Sequence, residues 1–147
     1  MADLEARFEA DRQARAGGSA AAMIPVVVAD SHISESALPT PDSFTFFAGL
    51  EETTCWKNEV TLRSIELMRA YAPHHMIEHI SPTPMLMVVA DRDILTAADL
   101  SLKAFAKALE PKELLLLNGG HFEAYEQANA EVKIKRQAGF LHKYLCT

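Results

Sequence analysis

The chain is 147 residues long, enough for one well-packed domain and too short for two. Its hydrophobic fraction of 49% and charged fraction of 23% are those of an ordinary soluble globular protein. A net charge of −6 argues against nucleic acid as a partner, because phosphate binding needs clustered Lys and Arg; the nearest cluster, Lys133, Lys135 and Arg136, reads as the solvated face of a helix.

In chain order, Leu4 and Phe8 stand four apart among acids and bases and predict a short amphipathic helix ending at Gly17-Gly18. Residues 23–28 look like a strand, but Pro25 cannot donate to a ladder, so the segment is an edge piece or an extended connection. Residues 30–40, rich in Ser, Asp and Pro, read as a loop. Thr40-Pro41-Asp42 is a helix start, with Thr40 as N-cap and Pro41 at the first helical position, and Phe44, Phe46 and Phe47 follow. The recurrence of Val60, Leu62, Ile65, Leu67 and Met68 predicts a helix over 57–71. Residues 85–90 are continuously apolar, as in a parallel strand buried on both faces. Thr96 and Asp99 then form a capping pair for a helix carrying Leu102, Phe105 and Leu109 inward and ending at Pro111. A second short apolar strand covers 114–117, a turn covers 118–121, and a last helix presents Ile134, Ala138, Leu141 and Leu145 as its stripe. Strand, helix, strand, helix with short connections is a βαβ unit followed by a terminal helix.

The residues with chemical promise sit at the ends of the two apolar strands. Ala90-Asp91-Arg92-Asp93 follows the first and Gly119-Gly120-His121 the second, where open α/β sheets place their active sites. The 28 residues from Asp93 to His121 are what one crossover helix requires. In that arrangement His121 takes a proton from a hydroxyl or thiol, and Asp93 fixes its tautomer and stabilises the imidazolium. Asp91 competes for the acid role. Asp93 lies deeper in the loop, where it can reach back to the histidine, and is preferred.

Other constellations are weaker. His75, Glu78 and His79 match H-x-x-E-H, but Pro73 and Pro82 leave little room for the regular helix that zinc chemistry needs, so no metal site is expected. Gly17-Gly18 and Gly119-Gly120 fit neither Walker nor dinucleotide patterns, and no cofactor is expected. None of the serines lies in a G-x-S-x-G elbow, and Cys55 has neither flanking glycines nor a preceding strand. Cys55 and Cys146 form no CxxC pair, which argues for a reducing compartment. The opening residues show no basic-then-apolar leader pattern, and the apolar stretch 20–29 is broken by Pro25 and shorter than the ~20 residues a bilayer span needs. The expectation is a cytoplasmic chain without a membrane span.

Several stretches resemble one family beyond this generic plan. Leu38-Pro39-Thr40-Pro41-Asp42-Ser43-Phe44 and Trp56-Lys57-Asn58-Glu59-Val60-Thr61-Leu62 look like the lid and connector of fungal α/β-hydrolases. Ile80-Ser81-Pro82-Thr83-Pro84 leading to Ala90-x-x-Asp93 looks like their strand and acid loop, and Gly119-Gly120-His121-Phe122-x-x-Tyr125 like their histidine segment. The group is similar to dienelactone-hydrolase-like proteins and includes polyketide thiohydrolases and polyketide transferases of secondary metabolism. The resemblance implies an α/β fold comprising the C-terminal half of an α/β-hydrolase: lid and connector helices over 1–80, then two parallel strands with flanking helices over 81–147. It implies release or transfer of an acyl chain held as a thioester or ester, such as one on the carrier domain of a polyketide synthase. Asp93 and His121 carry over as triad acid and base, while the elbow and oxyanion residues of the family would precede Met1. The alternative expectation is a truncated, non-catalytic paralogue acting as a binding or assembly partner, with self-association through an exposed sheet edge.

Overall fold

A computed structural model describes residues 2–30 and 35–146. The chain divides into two compact units, Met1–Ala72 and Pro73–Thr147.

In the first unit, helix α1 (Ala2–Ala16) closes where the sequence predicts, because Gly18 takes a φ of +90°, which an L side chain resists. The anticipated strand over 23–28 shrinks to β1 (Met23–Ile24), which pairs antiparallel with β2 (Val60–Thr61). Pro25 ends the ladder by lacking an N–H. Beyond it the extended chain is held by Asn58, which accepts from the Val27 N–H and donates to the Val27 carbonyl, both at 2.9 Å. Part of the anticipated loop, residues 31–34, lies outside the described residues.

Helix α2 (Pro41–Phe47) starts at Thr40 with Pro41 in its first turn, although the Thr40 hydroxyl pairs with Ser43 Oγ at 2.6 Å rather than with the backbone. A short helix, α3 (Leu50–Thr53), follows. Helix α4 (Leu62–Ala70) begins five residues later than its periodicity predicts. Val60 and Thr61 belong to β2 instead, and Thr61 caps the helix by accepting the Ser64 N–H at 3.1 Å. Phe8, Ile24, Leu62 and Ile65 form the core, with Leu4, Ala37 and Val60 against it. Asp11 is buried beside that core and accepts the Ala22 N–H at 2.7 Å and Arg15 Nε at 2.8 Å. These two partners, the Ala22 N–H foremost, hold its carboxyl below the usual carboxylate range.

The second unit opens with a 3₁₀ helix, Pro73–Ile80, and continues as β3 (Met85–Ala90), α5 (Ala98–Lys107), β4 (Lys112–Leu117), a 3₁₀ turn (Phe122–Tyr125) and α6 (Gln127–Leu145). The strands pair in parallel, from Met85 opposite Lys112 to Ala90 opposite Leu117. Two neighbouring residues of β4 fix where the helices lie. Lys112 Nζ donates to the carbonyls of Phe105 (2.9 Å) and Ala108 (2.6 Å) at the end of α5. Glu113, pointing to the other face, accepts from Lys143 Nζ at 2.8 Å and pairs with Arg136, both on α6. One helix therefore covers each face of the strand pair.

Three details correct the sequence reading. Helix α5 ends at Lys107, so Leu109 falls outside it and is exposed. Ile134, Leu141 and Leu145 are exposed on α6, whose half-buried side carries Lys133, Phe140 and Tyr144. Apolar periodicity picks the wrong stripe because the half-buried positions hold two aromatic rings and a Lys whose Nζ donates to the Ala124 carbonyl. In β3 only Val89 and Ala90 are fully buried, and its far edge has no strand partner among the described residues.

Helix α4 offers a test of this packing. Leu62 is 2% exposed and Leu67 is 58% exposed. Leu62→Ala is expected to cost about 2–5 kcal/mol by urea denaturation. Leu67→Ala should stay within about 0.5 kcal/mol, and equal losses would contradict the assignment of the core face.

Candidate active site

The parallel ladder continues past the ends of both strands. The Asp91 N–H donates to the Leu117 carbonyl and the Arg92 N–H to the Gly119 carbonyl, each at 2.9 Å. The acid loop and the histidine loop therefore leave the sheet together, and two residues distant in sequence arrive side by side. His121 Nδ1 lies 2.9 Å from Asp93 Oδ2.

Asp93 is held by more than the histidine. Its Oδ1 accepts the Leu95 N–H (2.9 Å) and the Thr96 N–H (2.8 Å), and its Oδ2 also accepts the Thr96 hydroxyl (2.7 Å). The side chain is 9% exposed. Burial alone raises a carboxyl pKa; here the Thr96 hydroxyl, the Thr96 N–H and His121 outweigh it and hold Asp93 below the usual carboxylate range. An ionised Asp93 accepts a proton-bearing Nδ1, which leaves Nε2 of a neutral His121 free to act as a base. The His121 side chain, 26% exposed, also lies edge-on to Phe122, with ring centroids 4.8 Å apart.

Thr96 takes a role that sequence reasoning did not give it. The N-cap of α5 is Ala97, and Thr96 serves Asp93 instead of forming a capping pair with Asp99, which binds Lys103 at 2.7 Å. The legible signal was the D-x-x-T spacing, since Asp side chains accept backbone N–H groups two and three residues on.

The turn before His121 is equally constrained. Gly119 has a φ of +141°, and a Cβ there would stand 2.1 Å from Glu123 Oε2. That carboxylate accepts the Gly120 N–H at 3.1 Å and lies 3.6 Å from Arg92 Nη2. Asp91, the rival acid, accepts the Gly119 N–H at 2.9 Å.

The remaining candidates are placed elsewhere. His75, Glu78 and His79 lie in the 3₁₀ helix, whose three-residue turn does not bring positions four apart onto one face. No group of three or more His, Cys, Asp or Glu that could hold a metal ion occurs among the described residues. An apolar groove of about 650 Å³ between that helix, β3 and α5 is lined by Met76, Ile77, Met85, Met87 and Leu100, among others, and includes neither Asp93 nor His121. Among the described residues of the second unit, no serine or cysteine hydrogen-bonds to His121.

No family model matches the chain. Its structure does find counterparts. It superimposes over 99% of its length on the α/β hydrolase GrgF from Penicillium sp. sh18, with a TM-score of 0.78 at 22% identity, covering 50% of that chain. Over 97% it superimposes on DcsB, solved with its substrate analogue, with a TM-score of 0.80 at 18% identity and 51% coverage. The fold is that of an α/β-hydrolase. In sequence the chain is similar to a thiohydrolase of Eupenicillium brefeldianum, 30% identical over 87 residues, which are 58% of this chain and 28% of the relative. It is likewise similar to a polyketide transferase of Gibberella fujikuroi, 30% identical over 90 residues, 60% of this chain and 28% of the relative. The chain spans about half the length of the solved structures, and its aligned part under a third of the curated relatives. This partial coverage agrees with its reading as a C-terminal half. No helix among the described residues is long and apolar enough to cross a membrane.

Two outcomes follow from this geometry. Gly119→Ala is expected to cost about 1–3 kcal/mol of backbone strain and, with the clash against Glu123, to separate His121 from Asp93; unfolding curves and NMR spectra of the variant measure both. The lowered Asp93 pKa means that its ionised form is favoured in the folded state, so its contribution is present above the ordinary carboxylate range and lost as pH falls through the folded value. Between about pH 5 and pH 2 the parent chain should therefore lose more stability than Asp93→Asn, measured by denaturant titration at each pH.

Proposed function

We propose that this chain carries the acid–histidine pair of an acyl-transfer centre acting on a thioester or ester of a polyketide-type acyl chain. The observation that carries the reading is the Asp93–His121 hydrogen bond of 2.9 Å at the ends of adjacent parallel strands. The substrate class is supported by the similarity to a thiohydrolase and to polyketide transferases.

In this reading His121 Nε2 removes the proton of a serine or cysteine, which attacks the acyl carbonyl. Asp93 stabilises the imidazolium that results, and the same proton then goes to the departing thiolate or alkoxide. Water or an alcohol, deprotonated in turn by His121, attacks the acyl-enzyme and returns the nucleophile. The nucleophile comes from outside residues 1–147, since no serine or cysteine of this sequence sits in an elbow motif. A carrier domain presenting the thioester is the partner that fits this chemistry. A cytoplasmic setting fits Cys55 and Cys146, which are both free and exposed.

Two experiments test the reading. A fluorophosphonate probe should fail to label the purified chain stoichiometrically; stoichiometric labelling would overturn the external nucleophile. Substituted for its counterpart in GrgF, the chain should support turnover of a simple acyl thioester, and His121→Ala or Asp93→Asn should lower kcat by roughly 10³–10⁴-fold. A folded chimera whose turnover ignores His121→Ala would refute the catalytic role.

A second reading, a non-catalytic assembly partner, is favoured by the exposed apolar residues Leu116, Ile134, Leu141 and Leu145 and by an edge of β3 that has no strand partner among the described residues. Sedimentation of the purified chain as a folded monomer at all concentrations would remove self-association.

A further inference from the structure

The acid and histidine loops are fastened to one another by side chains that take no part in the proton chemistry. Asp91 Oδ1 accepts the Gly119 N–H at 2.9 Å, and on the other side of the same turn Glu123 Oε2 accepts the Gly120 N–H at 3.1 Å. Arg92 completes the clasp: its N–H reaches the Gly119 carbonyl at 2.9 Å, and its guanidinium lies 3.6 Å from Glu123 Oε2. Both amides of the glycine pair before His121 are thus occupied by carboxylates.

These carboxylates are not explained by packing. Asp91 and Glu123 are exposed or half-exposed, so neither fills the core. The Arg92–Glu123 pair is long and wet, and such pairs contribute little on their own. What the two acids share is their target. A turn containing two glycines has great conformational freedom when unfastened, and the residue directly after it is the histidine.

We propose that Asp91 and Glu123 are positioning residues that hold the Gly119-Gly120 turn against the acid loop and so aim His121 Nδ1 at Asp93. The proposal rests on the acyl-transfer reading for its consequence in turnover, but the clasp itself is a property of the folded chain. Asp91 acts through the Gly119 amide, and Glu123 acts through the Gly120 amide while closing over a position where only glycine leaves room. The D-x-D of the acid loop then divides its labour. The first carboxylate holds the partner loop, and the second meets the imidazole.

The test uses the full chain with ¹⁵N-labelled histidine and glycine. In the parent chain the His121 Nδ1 proton should give a downfield, exchange-protected imidazole resonance, and the Gly119 amide should exchange slowly. Asp91→Ala should abolish both while circular dichroism and the melting curve of the remainder stay unchanged. Asp91→Asn, which keeps an oxygen acceptor for the Gly119 N–H, should restore both. Glu123→Gln should likewise retain them, and Glu123→Ala should lose the His121 signal. In the GrgF chimera, Asp91→Ala should lower kcat by about tenfold to 10²-fold, with KM little changed and rescue by Asp91→Asn.

A His121 resonance that survives Asp91→Ala, or an Asp91→Asn variant as impaired as the alanine one, would overturn the positioning role. Should Asp91→Ala fail to fold, the Glu123→Ala and Glu123→Gln pair decides the matter in the same way. A parent chain without the downfield resonance would count against the acid–histidine pair and hence against the acyl-transfer reading. The clasp would still be judged by Gly119 exchange, and it fails if Asp91→Ala leaves that exchange unaltered.

Discussion

The pairing of β3 with β4 is the constraint on which the rest of the second unit depends. Six residues of each strand run in step, and the ladder extends through the N–H groups of Asp91 and Arg92 into the loops themselves. Each such hydrogen bond contributes only about 1 kcal/mol net, but together they fix the register of two loops that share no sequence proximity. A slip of one residue along the ladder would move either loop by about 3.3 Å, more than the whole Asp93–His121 contact can absorb. The site is therefore a consequence of strand register before it is a consequence of its own side chains.

Electrostatics then decides what that proximity does. A buried carboxylate far from compensating groups would take up a proton, and Asp93 would be a poor orienting anion. The hydroxyl and N–H of Thr96, together with His121, reverse that tendency. The same rule operates at Asp11, where an amide and an arginine keep a buried carboxylate ionised next to an apolar core. Glu113 differs in kind. Lys143 foremost, with Arg136, holds its carboxyl below the usual range, but the pairing ties α6 to the sheet and offers no chemistry.

How much of this was legible in the sequence follows from which forces act locally. Both parallel strands were readable because continuous apolar runs have few other uses, and the Asp and His at their ends were readable because sheet topology brings such ends together. The start of α4 was misjudged because Val60 and Thr61 suit a strand as well as a helix, and a two-residue partner from β1 decides between them. The stripe of α6 was misjudged for a related reason. Periodicity counts apolar residues, whereas the half-buried positions of α6 hold Phe140, Tyr144 and Lys133, with Lys133 Nζ donating to the Ala124 carbonyl and Arg136 and Lys143 reaching Glu113. Thr96 was assigned to a helix cap because capping is the commoner use of a threonine before a helix. The competing D-x-x-T signal points to its partner three residues earlier, and it prevails because the loop closes around Asp93.

The preference for Asp93 over Asp91 as the partner of His121 has a physical basis in the loop. Asp91 still lies within the extended ladder, with its backbone paired to β4, so its carboxylate meets the adjacent strand's amide at Gly119. At Asp93 the chain leaves the ladder and turns, with Ala98 N–H returning to the Asp93 carbonyl at 3.1 Å, and this turn directs the side chain across the top of β4. The turn also delivers the Leu95 and Thr96 amides to Asp93 Oδ1, and the Thr96 amide helps to keep the carboxylate charged. Position in the ladder fixes one acid as a fastener; departure from the ladder makes the next one available to an imidazole.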